Sequence, residues 1–359
     1  MERRDLFLIW LNIQGLTYYR AKNIFSKFDD FDSFFDKNKV KSAFFGDEEF
    51  ELITKFSSEN HENLEKEITD KMYENEVEFV TIFSEKYPKL LKQLSDAPLV
   101  LYYKGNIDLL KYKAISIVGT RRPTTYGKIV CEKFTKELTE SGLITVSGLA
   151  YGIDTLVAES TLSSGGKTIA VLAGGLDEIY PSQNTALSKR IVENGGLLIS
   201  EYFIGVKPLS FQFISRNRIV AGLGLGLLIV EAGKNSGTMT TAKFALDQSK
   251  ELFVVPGNIT SLQSEGTNML IDELPDTFTV STGRILFKLG IKKIESSKSA
   301  KQVDMAESKI LSALELEELS YDDLCEKTGL SPSILSSKLI KLEMFGLVKK
   351  GNGNTYYKM

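Results

Sequence analysis

Across the middle of the chain the apolar residues come in short unbroken runs instead of alternating with polar ones. The runs are Ile115–Gly119, Leu143–Gly148, Thr168–Gly174, Leu197–Ser200, Leu225–Ala232 and Leu252–Pro256. Strands with this pattern are buried on both faces, as in a parallel sheet covered by helices. The segments between them, 125–141, 151–164, 184–194, 210–221 and 238–249, carry apolar residues at helical spacing. A strand–helix repeat of roughly 25–30 residues predicts an α/β, doubly wound, mainly parallel sheet. Val77–Phe83 and Leu99–Tyr103 predict two more strands leading into it.

The pattern changes at both ends. Residues 5–72 read as all-helical: Leu6, Leu8, Ile9, Trp10, Leu11 and Ile13 precede Gly15-Leu16-Thr17, then Ala21, Ile24, Phe25 and Phe28 follow at helical spacing. Helix, tight turn and helix outline a helix-hairpin-helix, whose turn amides hold a DNA phosphate. Thr17 replaces the second glycine usual there, so a small bundle that packs without touching DNA is the alternative. Residues 292–304 are polar, Ser/Lys-rich and aperiodic, the composition of a linker. Residues 305–359 predict three helices, the last starting with Ser331 as N-cap and Pro332 at the first turn. A hairpin signal follows at Gly351-Asn-Gly-Asn354, completing a winged helix. Its recognition helix would carry Ser336, Ser337, Lys338 and Lys341, with Lys338 and Lys341 as DNA-contact candidates. The organisation is thus a helical domain over 1–75, the sheet domain over 76–291, the linker, and the winged helix.

At 359 residues two or three domains are expected. The net charge of −3 gives no global attraction to nucleic acid, so any basic face is local. Cys131 and Cys325 form no CxxC pair, which argues against a thiolate metal site and fits a reducing cytoplasm. The single histidine, His61, lies among Glu59, Glu62, Glu65 and Glu67 and reads as part of a solvated helix face. Mechanisms that need a catalytic histidine lose their candidate. The apolar stretch Leu6–Ile13 is too short for a membrane span and lacks a signal-peptide cleavage site.

Two glycine motifs mislead. Gly166-Lys167-Thr168 resembles the end of a phosphate-binding P-loop but precedes a strand, and Thr161 stands where its first glycine belongs. Gly222-Leu-Gly-Leu-Gly226 imitates a dinucleotide fingerprint but also runs into a strand, where close backbone packing explains it better.

Four loops at the carboxyl ends of predicted strands should converge on one edge of the sheet. The first, Gly119-Thr120-Arg121, joins strand to helix, where free amides and the helix dipole favour an anion. The second contains Ser147 and Gly148 and ends at Asp154, a candidate helix cap. The third runs from Ser200 through Lys207, Phe211 and Phe213 to Arg216, Asn217 and Arg218. The fourth, Glu231 to Thr238, includes Ser236 and Gly237 and opens a helix carrying Lys243. From Tyr202 to Val230 there is no acidic residue. Basic residues that track phosphates, interleaved with aromatics on which bases stack, are the ingredients of single-stranded nucleic-acid binding.

Val118-Gly-Thr-Arg-Arg-Pro-Thr124, Val146-Ser-Gly-Leu-Ala-Tyr-Gly-Ile-Asp154, Ala170-Val-Leu-Ala-Gly-Gly-Leu-Asp177 with Ile179-Tyr-Pro181, Leu198-Ile-Ser-Glu-Tyr202, Ser215-Arg-Asn-Arg-Ile-Val-Ala221 and Val255-Pro-Gly257 resemble the bacterial DNA-processing protein A family (DprA/Smf). The resemblance runs from about 80 to 290. It implies an extended Rossmann-like fold that dimerises through that domain and binds single-stranded DNA in the cytoplasm without catalysis or cofactor. It further implies loading of a RecA-type recombinase during natural transformation, with a single-strand-binding protein as a further partner. The family's DNA pocket carries over to Arg121, Lys207, Phe211, Phe213 and Arg216-Asn217-Arg218. Ser215 replaces a basic residue often found there, removing about one phosphate contact. Two other readings compete. One is a nucleoside-monophosphate phosphoribohydrolase, motivated by Gly237-Thr238 but lacking the glutamate that should follow. The other is a duplex-DNA binder working through the winged helix.

Overall fold

The computed structural model describes all residues except 17–19, 22–46, 292–303, 316, 345, 352–353 and 359. Thr17, the helical positions Ile24, Phe25 and Phe28, and nearly all of the expected linker lie outside the described residues. The chain divides into two compact units, Met1–Ile294 and Glu295–Met359.

The first unit opens with helices α1 (Arg3–Ile13), α2 (Asp47–Ser58) and α3 (His61–Glu74). Leu6 to Leu11 are all buried, because α1 lies between α2 and strand β2 (Val100–Gly105). Phe7, Trp10 and Phe56 interlock, with Phe7 and Trp10 ring centroids 4.8 and 5.4 Å from Phe56. These residues share one core with Val100, Tyr102, Ala170, Leu172 and Leu198 of the sheet. Among the described residues, the helical segment therefore shares its core with the sheet. His61 is half-buried and not on an open face: its ring stacks on Phe56 at 4.5 Å and its Nε2 donates to the Phe56 carbonyl at 2.8 Å.

Strands β1 (Glu78–Thr81), β2, β3 (Ala114–Val118), β4 (Ile144–Ser147), β5 (Thr168–Leu172), β6 (Leu197–Ser200), β7 (Gly226–Ile229) and β8 (Glu251–Val254) form one sheet, in the order β1-β2-β6-β5-β4-β3-β7-β8. The six strands from β6 to β8 are parallel, and β1 and β2 extend them antiparallel on one edge. β3, β4, β5, β6 and β7 are buried along their whole length, as their unbroken apolar runs require. The helices between them are α5 (Thr125–Glu140), α6 (Ile153–Ser163), α7 (Thr185–Glu193), α8 (Ser210–Leu223) and α9 (Gly237–Asp247), after the short α4 (Lys89–Lys92). α10 (Glu265–Glu273) and α11 (Thr282–Lys288) follow β8.

From β3 the chain builds outward through β4 and β5 to β6, then returns to lay β7 and β8 on the other side of β3. Strand order thus reverses between β3 and β7, with Val118 opposite Ile229. Crevices for ligands open at such a reversal, outside the strands' carboxyl ends. Both glycine look-alikes resolve structurally. Gly166 lies just ahead of β5. Gly224 bridges α8 and β7, where a Cβ would come 2.4 Å from Ser116 Oγ.

The second unit contains α12 (Met305–Ala313), β9 (Leu319–Ser320), α13 (Tyr321–Thr328), α14 (Pro332–Met344), β10 (Val348–Lys350) and β11 (Thr355–Lys358), with its sheet ordered β10-β11-β9. Ile310, Leu324, Leu335, Leu339, Leu342 and Val348 make its core. Capping boxes start α12 at Asp304 and α13 at Ser320, and Gly329 ends α13 in the left-handed conformation. The two lysines expected to face DNA are both engaged by carboxylates of this unit. Lys338 pairs with Asp304 and Glu307, and Lys341 lies 2.7 Å from Glu307, whose carboxylate is buried. Acids at the start of α12 engage them because a buried carboxylate needs its charge balanced.

Among the described residues no helix is long and apolar enough to cross a membrane.

Candidate functional site

A cleft of about 570 Å³ opens at the β3–β7 reversal, lined from the loops after β3, β4, β5, β7 and β8 and by α8. The turn after β3 is held by its neighbours. Thr120 N donates to the Glu231 carbonyl at 2.7 Å, and Ile153 N donates to the Thr120 carbonyl at 3.2 Å. These approaches leave no room for side chains. A Cβ on Gly119 would lie 2.6 Å from Ile153 Cγ1. One on Gly152, at φ +78°, would lie 2.4 Å from the Thr120 carbonyl oxygen.

Thr124 caps α5, and the buried Glu231 carboxylate accepts from Thr124 N at 2.9 Å and from Thr124 Oγ1 at 2.7 Å. The acid of the fourth loop is thereby turned away from the cleft to brace the first. Thr120 Oγ1 donates to Gln263 at 2.8 Å and accepts from Arg122 N at 3.2 Å. The result is a rigid turn that displays Arg121 and Arg122 on the surface.

Arg121 is exposed, and its guanidinium lies over the Phe213 ring, 5.3 Å from the centroid. Across from it, Ser236, Gly237 and Thr238 form the start of α9, whose dipole favours an anion. Asn217 donates weakly to the Gly237 carbonyl at 3.4 Å.

The floor holds two buried groups of opposite charge, Asp154 and Arg216. Asp154 accepts from Gly148 N at 3.2 Å and Ala150 N at 3.3 Å. Burial pushes its carboxyl above the ordinary value, opposed by the Arg216 charge. Burial likewise pulls the Arg216 guanidinium down, opposed by Asp154. Arg216 is 4% exposed, donates to the Val171 carbonyl, and packs so tightly on Gly148 that a Cβ there would lie 2.0 Å from Nη1. It shapes the floor and positions the second loop, and its Nε has no hydrogen-bond partner among the described residues.

This cleft belongs to a known kind of protein. Residues 78–288 match the family model described as DNA recombination-mediator protein A, and residues 295–354 match the DprA winged helix domain. The chain belongs to the DNA recombination-mediator protein A family.

DNA processing protein DprA of Streptococcus pneumoniae is 43% identical over 193 residues, covering 54% of this chain and 68% of that protein. Protein Smf of Synechocystis is 33% identical over 318 residues, covering 78% of this chain and 79% of its own. Among solved structures, DprA of S. pneumoniae superposes with a TM-score of 0.68 at 32% identity, over 78% of this chain and 96% of that one. DNA processing protein A of Helicobacter pylori, solved for its single-stranded DNA binding mode, has a TM-score of 0.54 at 33% identity, over 60% and 97% of the two chains.

Within this family member, the residues singled out in the sequence divide into three groups. Gly119, Thr120, Arg121, Phe213, Arg216, Asn217, Ser236, Gly237 and Thr238 line the cleft. Lys207 and Phe211 do not line it but lie exposed on the loop entering α8, with Phe211 61% exposed. The remaining four do not line the cleft. Ser147 is buried at the end of β4 and donates to the Ile117 carbonyl at 2.8 Å. Gly148 is the seat of Arg216. Lys243 is exposed on α9 and is not among the residues that line the cleft. Arg218 is braced inside the protein: it grips Glu201 with Nη1 at 2.8 Å and Nη2 at 2.7 Å, and its Nε lies 3.0 Å from Asp96. Burial opposes its charge, but Glu201 and Asp96 outweigh that effect. Sequence reasoning missed Arg122, Tyr180 and Gln263, which also line the cleft. Tyr180 follows β5, so its strand-end loop was the available signal. Gln263 lies beyond Pro256-Gly257 and gave none.

Proposed function

We propose that this chain binds single-stranded DNA in the β3–β7 cleft, protects it, and hands it to a RecA-type recombinase without breaking a bond. The observation that carries this reading is Arg121, exposed on a rigid turn with no ion pair among the described residues, while Lys207 and Phe211 are exposed on the loop that enters α8. Asp154 is the one carboxylate among the described lining residues, and it is buried, with the Arg216 charge acting on it. A phosphate meets positive charge and helix-end amides, and bases find apolar rings on which to stack. The single-stranded DNA binding described for the H. pylori relative agrees with it. Proton-transfer chemistry has little support, because His61 is stacked on Phe56 in the helical segment.

Salt titration tests the site. Each phosphate contact to a single strand contributes about 0.7 to the slope of log affinity against log salt. Arg121→Ala and Lys207→Ala should each make oligothymidine binding shallower by roughly that amount. If both variants bind like the parent at every salt concentration, the cleft is not the site. Handover implies a recombinase surface, displacement of a single-strand-binding protein, and a cytoplasmic setting for natural transformation. It also implies a homodimer through the Rossmann-like unit. Ile259 and Leu262, 90% and 73% exposed after Gly257, are the candidate dimer contacts. Ile259→Asp with Leu262→Asp should yield monomers in sedimentation equilibrium, and an unchanged dimer would place the interface elsewhere.

A further inference from the structure

What already touches each aromatic ring of the cleft decides what it can still bind. Phe213 carries the Arg121 guanidinium over its ring. Tyr180 meets it nearly edge-to-face, with centroids 5.5 Å apart and planes at 64°. Phe213 is half-buried, with little free ring to offer. Tyr180 stands at the open end of this row, 48% exposed and lining the cleft, with no hydrogen bond to its hydroxyl among the described residues. An aromatic ring fixed by a neighbour and open to solvent is a preformed stacking surface that needs little further ordering.

We propose that Tyr180 is a base-stacking residue of the cleft, and that Phe213 is a positioning residue that holds Arg121 for a phosphate and takes no base itself. The inference rests on the cleft being the single-strand site. It also assigns a source of selectivity. A base can lie on Tyr180 only when it is out of the duplex stack, so this ring favours single strands, while Arg121 attracts any phosphate.

The full chain is titrated with oligothymidine containing one 2-aminopurine, whose fluorescence falls on stacking, at several salt concentrations. Tyr180→Leu should weaken binding about tenfold at every salt concentration, within the range for one stacked base. It should leave the salt slope unchanged, abolish the quench, and reduce the preference over duplex by the same factor. Tyr180→Phe should restore all three. Phe213→Leu should flatten the slope as Arg121→Ala does, add nothing in the Arg121→Ala background, and keep the quench. The proposal is overturned if Tyr180→Leu keeps parental affinity and quench while Arg121→Ala behaves as expected. It is also overturned if Phe213→Leu removes the quench and leaves the slope intact. If Arg121→Ala itself binds like the parent across salt, the cleft is not the DNA site and the assignment of Tyr180 falls with it.

Discussion

Replacing Arg218 by methionine distinguishes an internal brace from a DNA contact. The side chains of Arg218 and Glu201 are 11% and 13% exposed, and two parallel hydrogen bonds join them. Arg218 Nη1 also donates to the Ser215 carbonyl at 3.0 Å. Methionine preserves the apolar stem but leaves the Glu201 carboxylate desolvated and without its partner. Removing one member of such a pair costs about 3–5 kcal/mol. Asp96 is half-exposed, so its share is at most about 1 kcal/mol. The urea midpoint of Arg218→Met should therefore fall by the equivalent of about 3–5 kcal/mol, with an unchanged salt slope for oligothymidine. Arg218→Met combined with Glu201→Leu should recover most of the loss, because no buried charge is then left alone. An unchanged urea midpoint, together with a slope shallower by about 0.7, is the signature of a lost phosphate contact and would refute this account.

Three further outcomes follow from the geometry. Gly148→Ala forces a Cβ into the Arg216 guanidinium and should cost about 1–3 kcal/mol in urea unfolding, with weakened oligothymidine binding. Glu231→Gln removes the charge behind two hydrogen bonds to Thr124 and should lower stability by about 1.5–3 kcal/mol, with faster amide exchange in the turn after β3. In the winged-helix unit, Lys341 beside Glu307 and Lys338 beside Asp304 hold both carboxyls below their ordinary values of 4.5 and 3.8. A depressed carboxyl stabilises fully above its unfolded pKa and loses that contribution as pH falls through its folded one. Amide protection of α12 and α14 should therefore be flat near neutrality and decline below about pH 4.5. Decline beginning at pH 6 would implicate other groups.

The parallel sheet was legible because burial on both faces leaves an unbroken apolar run in the sequence. Its topology then brought four loops to one edge without any knowledge of side-chain contacts, which is why Arg121, Asn217 and Thr238 fall together. The pairing of charges was not legible. Arg216 and Arg218 stand side by side in an acid-free stretch, yet their counter-charges come from Asp154, Glu201 and Asp96, brought in by other loops. Local composition overstated the free positive charge. The same holds for Lys338 and Lys341, which look exposed at helical spacing but face the first turn of α12. Tyr180 stands in a family motif but was not read as a site residue, because one tyrosine in a loop has no periodicity and its relation to Phe213 exists only after folding.

The end of α1 has a practical consequence. Asn12 donates to the Glu201 carbonyl at 3.0 Å and accepts from the Tyr102 hydroxyl at 2.9 Å, while Leu6 to Leu11 cover Val100 and Tyr102. The leading helix is thus cladding for the sheet's antiparallel edge, and it also touches the backbone of the residue that clamps Arg218. Trimming at residue 75, where the sequence changes character, would strip a wet face onto two strands and slacken the brace beneath the cleft. Such a fragment should aggregate or bind DNA poorly even though every residue of the cleft is still in it. The place where a sequence pattern begins is therefore not a safe place to cut the polypeptide.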